Sequence, residues 1–140
     1  MTPPAISEPQ STSRAAVWIG RILQVIIVLL LLLDAGMKVL KMDAAVKGTV
    51  QAGFPEAAIA PVGWTLLISL LVYVIPRTAI LGAILLTGYL GGAVATNVRL
   101  SMPLGFDLLP AILGALIWAA LFLRDERLRA MIPLRKYASK

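Results

Sequence analysis

Asp34 and Lys38 are the side chains best placed to do chemistry, because they are charged and follow directly on a long apolar run. Their i, i+4 spacing puts them on one face of a helix, where they can form an ion pair. A charged side chain near the hydrocarbon interior of a membrane is costly unless it is paired with an opposite charge or faces a polar interior of the protein. Two interpretations stay open: a polar site for a lipid headgroup, a quinone or a proton, or an interfacial ion pair whose lysine extends to water.

Further polar residues gather in the third apolar run. Tyr89 and Asn97 are eight residues apart on one helical face, and Arg99 follows where the run ends. Thr49 and Gln51 precede the second run and could reach the same end of the protein. We therefore predict one ligand or partner pocket, made by Asp34, Lys38, Tyr89, Asn97 and Arg99. In the alternative interpretation, Asn97 caps the helix and Arg99 lies among the headgroups.

Small residues recur along the same run. Gly88 and Gly92 form a GxxxG spacing that continues to Thr96, and Gly91 and Ala95 form a parallel row. Such rows let membrane helices approach closely, so van der Waals contacts and interhelical hydrogen bonds can hold them together. Helix packing is therefore predicted in preference to a ligand groove, within one chain or in a homodimer. The predicted packing residues are Gly82, Gly88, Gly91, Gly92, Ala95 and Thr96.

The sequence contains neither cysteine nor histidine. This excludes disulfides, thiol redox chemistry, Cys/His zinc sites and His-ligated haem, so no metal site is expected. Nucleotide-binding and hydrolase motifs are also missing, and no pair of carboxylates lies within an apolar run. No catalytic residue is assigned and no cofactor is evident. Whether the chain acts as an enzyme stays open, with a non-enzymatic role favoured.

The elements that must position these residues are membrane helices. Hydrophobic residues make up 59% of the 140-residue chain and charged residues only 14%, against about a quarter in soluble domains. Four apolar runs approach the roughly 20 residues that a bilayer requires. We predict an all-α integral membrane four-helix bundle with short loops, including a polar connection at residues 41–56. The predicted spans are residues 17–39, 57–75, 78–98 and 106–123.

The charges of the flanking segments predict orientation. Residues 1–13 are rich in Pro, Ser and Thr and are expected to form a disordered tail, and a short amphipathic segment follows the last span. Lys and Arg dominate the side that holds both termini, which predicts cytoplasmic termini. The net charge of +6 thus suits anionic lipid, and nucleic acid is not an expected partner. The larger basic set is Arg14, Arg21, Arg77, Arg124, Arg127, Arg129, Arg135, Lys136 and Lys140; the smaller is Lys38, Lys41, Lys47 and Arg99.

Several segments together resemble the DoxX-like family of small bacterial membrane proteins. They are residues 20–23, Asp34 with Lys38, and residues 49–55, 76–79, 81–96 and 124–129. The resemblance covers nearly all of residues 14–140 and implies a four-helix protein of the bacterial inner membrane. Some relatives belong to thiosulfate:quinone oxidoreductase and others to membrane redox complexes. The lack of cysteine sets this chain apart from the thiol-redox relatives.

Three functional hypotheses follow. The first is a non-catalytic membrane subunit that binds a partner protein or an apolar ligand in the predicted pocket. The second is a quinone-linked subunit of a membrane oxidoreductase, with a membrane or soluble redox partner. The third is a small transporter. It is ranked lowest because transport usually requires polar groups or broken helices at the midplane of the membrane, whereas the spans of this chain are polar mainly at their ends.

Overall fold

The computed structural model describes residues 13–131, and within that range the chain is helical throughout except for short connections. Four helices are long and apolar enough to cross a membrane, which confirms the predicted all-α membrane bundle. The elements are α1 (Arg14–Val39), α2 (Asp43–Gln51), a 3-10 turn (Glu56–Ala58), α3 (Ile59–Val74), α4 (Ala79–Arg99), α5 (Leu104–Arg124) and α6 (Glu126–Met131). The predicted tail, apart from Ser13 at the N-cap of α1, lies outside the described residues.

The four long helices alternate in direction and form a ring in the order α1, α3, α4, α5. Each contacts its two neighbours in the ring, whereas the backbones of α1 and α4 lie diagonally opposite without a close approach. We call the end where α1 and α4 finish the pocket end, and the opposite end the terminal end. The helix α2 lies at the pocket end, next to α1 and α3.

The core of the bundle is apolar, and so is much of its outer surface. Buried side chains from all four long helices form one cluster, which includes Ile27, Leu31, Leu66, Leu70, Tyr73, Leu86, Ile117 and Leu121. Large apolar side chains also cover the outside, among them Trp18, Leu29, Ile68, Ile84 and Leu109. An apolar exterior of this extent marks contact with lipid rather than water. The protein is therefore embedded in a lipid bilayer.

Three glycines allow the helices to approach closely. A Cβ at Gly82 would lie 2.2 Å from the backbone nitrogen of Tyr73, where α4 meets α3. A Cβ at Gly63 would lie 2.8 Å from the Cβ of Lys38, and one at Gly20 would lie 3.0 Å from the carbonyl oxygen of Ala120. The sequence pattern identified Gly82 but not Gly20 or Gly63, which are isolated in the chain.

The other glycines of the predicted packing set have a different environment. No atom lies within 4 Å of the Cβ position at Gly88, Gly91 or Gly92. For Gly88 and Gly92 the physical reason is the ring order, because the face of α4 that carries them looks toward α1 across the cavity, and the backbones of α1 and α4 do not approach each other closely. Within the described chain these three glycines therefore do not supply helix contacts.

Side-chain hydrogen bonds join the helices away from the pocket end. Gln24 of α1 accepts a hydrogen bond from the guanidinium of Arg124 in α5, which is the interhelical role expected of a buried amide. The Tyr73 hydroxyl donates to the carbonyl oxygen of Ile117 at 3.3 Å. Trp118 donates from its indole nitrogen to the hydroxyl of Thr87 at 2.9 Å, linking α5 to α4.

The predicted amphipathic segment after the last span corresponds to α6. The Asp125 carboxylate accepts from the backbone nitrogens of Arg127 and Leu128 and so caps the start of this helix. Leu128 is buried against the core, and Arg127 is exposed. The chain beyond Met131 lies outside the described residues.

Candidate functional site

A cavity of about 770 Å³ opens at the pocket end, between α1, α2 and α4. Its walls are mainly apolar, and single residues of α3 and α5 complete them. The larger apolar side chains of the wall are Met37, Phe54, Val62 and Phe106. Lining residues fall only within positions 34–62 and 88–106, so the cavity lies in one half of the bundle.

The glycines of α4 are the reason that space remains here. Gly88 and Gly92 both line the cavity, and neither has an atom within 4 Å of its Cβ position. Larger side chains would fill the gap between the diagonal helices α1 and α4. The GxxxG spacing in this chain thus forms the wall of a cavity instead of a helix contact.

The short helix α2 covers the cavity with small residues. Ala44, Ala45, Gly48, Thr49 and Ala52 all line it, at positions that share one side of a helix. This segment was predicted as a polar connection, because its nine residues are too few and too polar to resemble a span. The repeat of small residues every three to four positions was the available signal for a helix with one packed face.

Lys38 connects the two sides of the cavity. Its ammonium group donates one hydrogen bond to the Asp34 carboxylate on α1 and another to the hydroxyl oxygen of Tyr89 on α4, the latter at 3.1 Å. The lysine side chain is 18% exposed and the aspartate 41%. The predicted i, i+4 pair is therefore present, and it faces the cavity together with Tyr89.

Thr49 is a second polar group at this site. The residue is only 7% exposed and lines the cavity. Gln24 and Ser69, the other buried polar residues of the described chain, each have a hydrogen-bond partner. The Thr49 hydroxyl has none within residues 13–131. Because a buried hydroxyl without a partner is costly, this one is available to a bound molecule.

Asn97 also lines the cavity, and its amide has a structural task. Pro110 lies within α5 and has no N–H to donate to the carbonyl of Phe106, four residues earlier. The Asn97 side chain donates to that carbonyl oxygen at 2.7 Å. The asparagine therefore satisfies a backbone group that the proline leaves without its helical partner.

The hydrogen bond from Asn97 to the Phe106 carbonyl allows a quantitative prediction. We expect Asn97→Ala to lower the free energy of unfolding by about 1–2 kcal/mol, because the Phe106 carbonyl loses its donor. In a Pro110→Ala background the cost should fall to about 0.5 kcal/mol or less, since the new N–H can bond that carbonyl. Denaturant titration of the four proteins in detergent micelles measures the coupling. Equal costs of Asn97→Ala in both backgrounds would contradict this role.

Arg99 is the one predicted pocket residue that does not line the cavity. Its guanidinium donates to the carbonyl oxygen of Ala52 at 3.1 Å, which ties the end of α4 to the end of α2. Gly53 follows with a φ of +79°, a conformation that glycine adopts without strain. Asp34, Lys38, Tyr89 and Asn97 are brought together at the cavity, whereas Gln51 is not part of its wall. No cluster of three potential metal ligands occurs within residues 13–131.

Comparison with known proteins identifies a family for this chain. Neither the curated proteins nor the solved structures include a significant match to this chain. The sequence model of the DoxX-like family, in contrast, matches residues 22–120. This segment contains the cavity-lining residues of all the helices described above. As the match covers most of the sequence, the chain belongs to the DoxX-like family.

Proposed function

We propose that the protein is a non-catalytic membrane subunit that binds a lipophilic small molecule in the cavity at the pocket end. One observation carries this proposal. Gly88 and Gly92 leave open space beside the Lys38–Tyr89 contact, where side chains could instead have closed the bundle. A cavity that only reflected loose packing would have no reason to collect these polar groups.

The size and the lining of the cavity support the same function. Small-molecule sites typically occupy about 300–1,000 Å³ and combine apolar walls with a few polar groups that fix orientation. The cavity of about 770 Å³ lies within that range. Phe54 and Phe106 provide aromatic surface, and Asp34, Lys38 and Tyr89 provide the polar contacts.

The distribution of arginine supports an orientation in the bacterial inner membrane with cytoplasmic termini. Arg14, Arg21, Arg77 and Arg127 are exposed at the terminal end, where Arg124 and Arg129 also lie. The pocket end carries fewer basic residues: Lys41 and Lys47 are exposed there, Lys38 is paired with Asp34, and Arg99 is bonded to the backbone. The excess of positive charge at the terminal end favours the cytoplasm for that end. The cavity then faces the outer side of the membrane.

A quinone-linked subunit is the second candidate. Lys38 and Tyr89 together present N–H and O–H donors beside an apolar cavity, which suits a quinone carbonyl. This function also requires a redox partner protein to deliver or take up electrons. The presence of a quinone and of such a partner in the purified complex distinguishes it from the first candidate.

Native mass spectrometry of the protein released from nanodiscs tests the binding function. We expect a bound small molecule on the wild type and its loss from Gly92→Leu, because the leucine side chain would occupy the cavity. Gly91→Leu is the matched control, since Gly91 has equally open surroundings but does not line the cavity. Its occupancy should equal that of the wild type.

Two results would overturn the proposal: a wild-type protein without any bound molecule, or equal occupancy in all three proteins. Circular dichroism must show the same helix content for both leucine variants. The mass and absorption spectrum of the bound molecule identify whether it is a quinone.

A further inference from the structure

The charges around the cavity balance. Among the cavity-lining side chains that the structure describes, Asp34 and Lys38 are the only charged ones, and they form an ion pair. A charged ligand would therefore bring a charge into a partly buried site with no unpaired counter-ion. Such a charge loses hydration without gaining a partner, which is unfavourable. Charge balance thus selects for an uncharged ligand.

The hydrogen-bonding groups at the Lys38–Tyr89 contact have unused donors. An ammonium group has three N–H bonds, and Lys38 uses one on Asp34 and one on Tyr89. The Tyr89 oxygen accepts from Lys38, so its own O–H bond remains free to donate. Within residues 13–131 no acceptor for this proton is present.

The geometry of these two donors matches a single oxygen acceptor. The Lys38 nitrogen and the Tyr89 oxygen lie 3.1 Å apart, so one oxygen atom with two lone pairs can accept from both. A carbonyl oxygen has two such lone pairs and carries no charge. Beyond this point the cavity wall is mainly apolar, with Met37, Val62 and the two phenylalanines.

We propose that the ligand is an uncharged lipophilic carbonyl compound whose oxygen accepts from Lys38 and Tyr89. The inference rests on the proposed binding function and specifies the chemical class of its ligand. The Thr49 hydroxyl, buried and without a partner in the described chain, provides a further contact in the same cavity.

Photolabelling with benzophenone, itself an uncharged aromatic ketone, tests whether the cavity prefers uncharged carbonyl compounds. The purified protein in nanodiscs is irradiated with benzophenone, and the labelled peptides are identified by mass spectrometry. Competitors are four twelve-carbon compounds that differ only at one end: a methyl ketone, a carboxylate, a primary ammonium and an alkane. We expect cavity labelling that is competed about tenfold more effectively by the ketone than by any of the others, the effect of one or two hydrogen bonds.

Two variants locate the contact. Tyr89→Phe should remove most of the preference for the ketone over the alkane, because it deletes one donor and keeps the ring. Tyr73→Phe is the control, since that hydroxyl is buried in the other half of the bundle and bonded to Ile117. The control should keep the preference at its wild-type value.

The outcomes separate this inference from the function on which it rests. Absence of cavity labelling, or labelling that Gly92→Leu leaves unchanged, overturns the binding function itself. Cavity labelling that the alkane, carboxylate or ammonium compound competes as well as the ketone overturns only the carbonyl inference. A preference for the ketone that survives Tyr89→Phe rejects the assigned contact.

Discussion

Replacing Gly82 by alanine is expected to lower the free energy of unfolding by about 3 kcal/mol, near the upper end for an overpacked site. The added methyl carbon would lie 2.2 Å from the nitrogen and 2.3 Å from the Cα of Tyr73. Because the obstacle is backbone, no side-chain rotation relieves the clash, and α3 and α4 must move apart. That movement also weakens the buried contacts of Tyr73 with α5.

The comparison with Gly91→Ala isolates this packing effect. Both glycines lie within α4, and both substitutions gain about 1 kcal/mol of helix propensity. Gly91 has no atom within 4 Å of its Cβ position, so its alanine variant should be as stable as the wild type or slightly more stable. Unfolding in mixed micelles, followed by far-UV circular dichroism, measures both. A Gly82→Ala protein as stable as Gly91→Ala would contradict the close approach of α3 and α4.

Replacing Lys38 by methionine is expected to cost about 2 kcal/mol. Exposed ion pairs contribute about 0–1 kcal/mol, whereas removing one partner of a buried pair costs about 3–5 kcal/mol. This pair is intermediate, with side chains 18% and 41% exposed. Methionine keeps the apolar stem of lysine but leaves the Asp34 carboxylate without its partner and also removes the donor to Tyr89.

A double-mutant cycle separates the charge effect from the packing effect. Adding Asp34→Asn to Lys38→Met should recover about half of the lost stability, because it removes the unpaired carboxylate. Lys47→Met serves as the control for loss of one positive charge, since Lys47 is exposed on α2. It should change stability by less than about 0.5 kcal/mol. If Lys38→Met is no more costly than Lys47→Met, the pair does not stabilise the fold.

The spans and the ion pair could be predicted from sequence because both depend on residues that lie close together in the chain. Apolar runs of sufficient length become membrane helices, and an i, i+4 spacing brings Asp34 and Lys38 together on any helix. The predicted starts and ends differ from the observed ones by a few residues, as with the fourth span, which begins at Leu104 instead of residue 106.

The roles of the small residues could not be predicted in the same way. Gly82 and Gly88 look alike in sequence, yet one contacts the backbone of α3 and the other borders open space. The difference depends on which helices are neighbours in the ring, and that order is set by contacts between distant segments. The role of Asn97 could not be predicted either. Its partner is the carbonyl of Phe106 on another helix, which is free to accept only because Pro110 has no N–H to donate to it.

Three buried leucines lie about one helical turn from the cavity wall: Leu31, Leu66 and Leu86. Below them the apolar cluster continues through Tyr73 and Ile117 toward the terminal end. The lysine and the carboxylate at the cavity are thus separated from the opposite membrane face by closely packed hydrocarbon. Such a layer is an electrical insulator, and in the described part of the chain it lies between the charged groups at the cavity and the terminal end of the bundle.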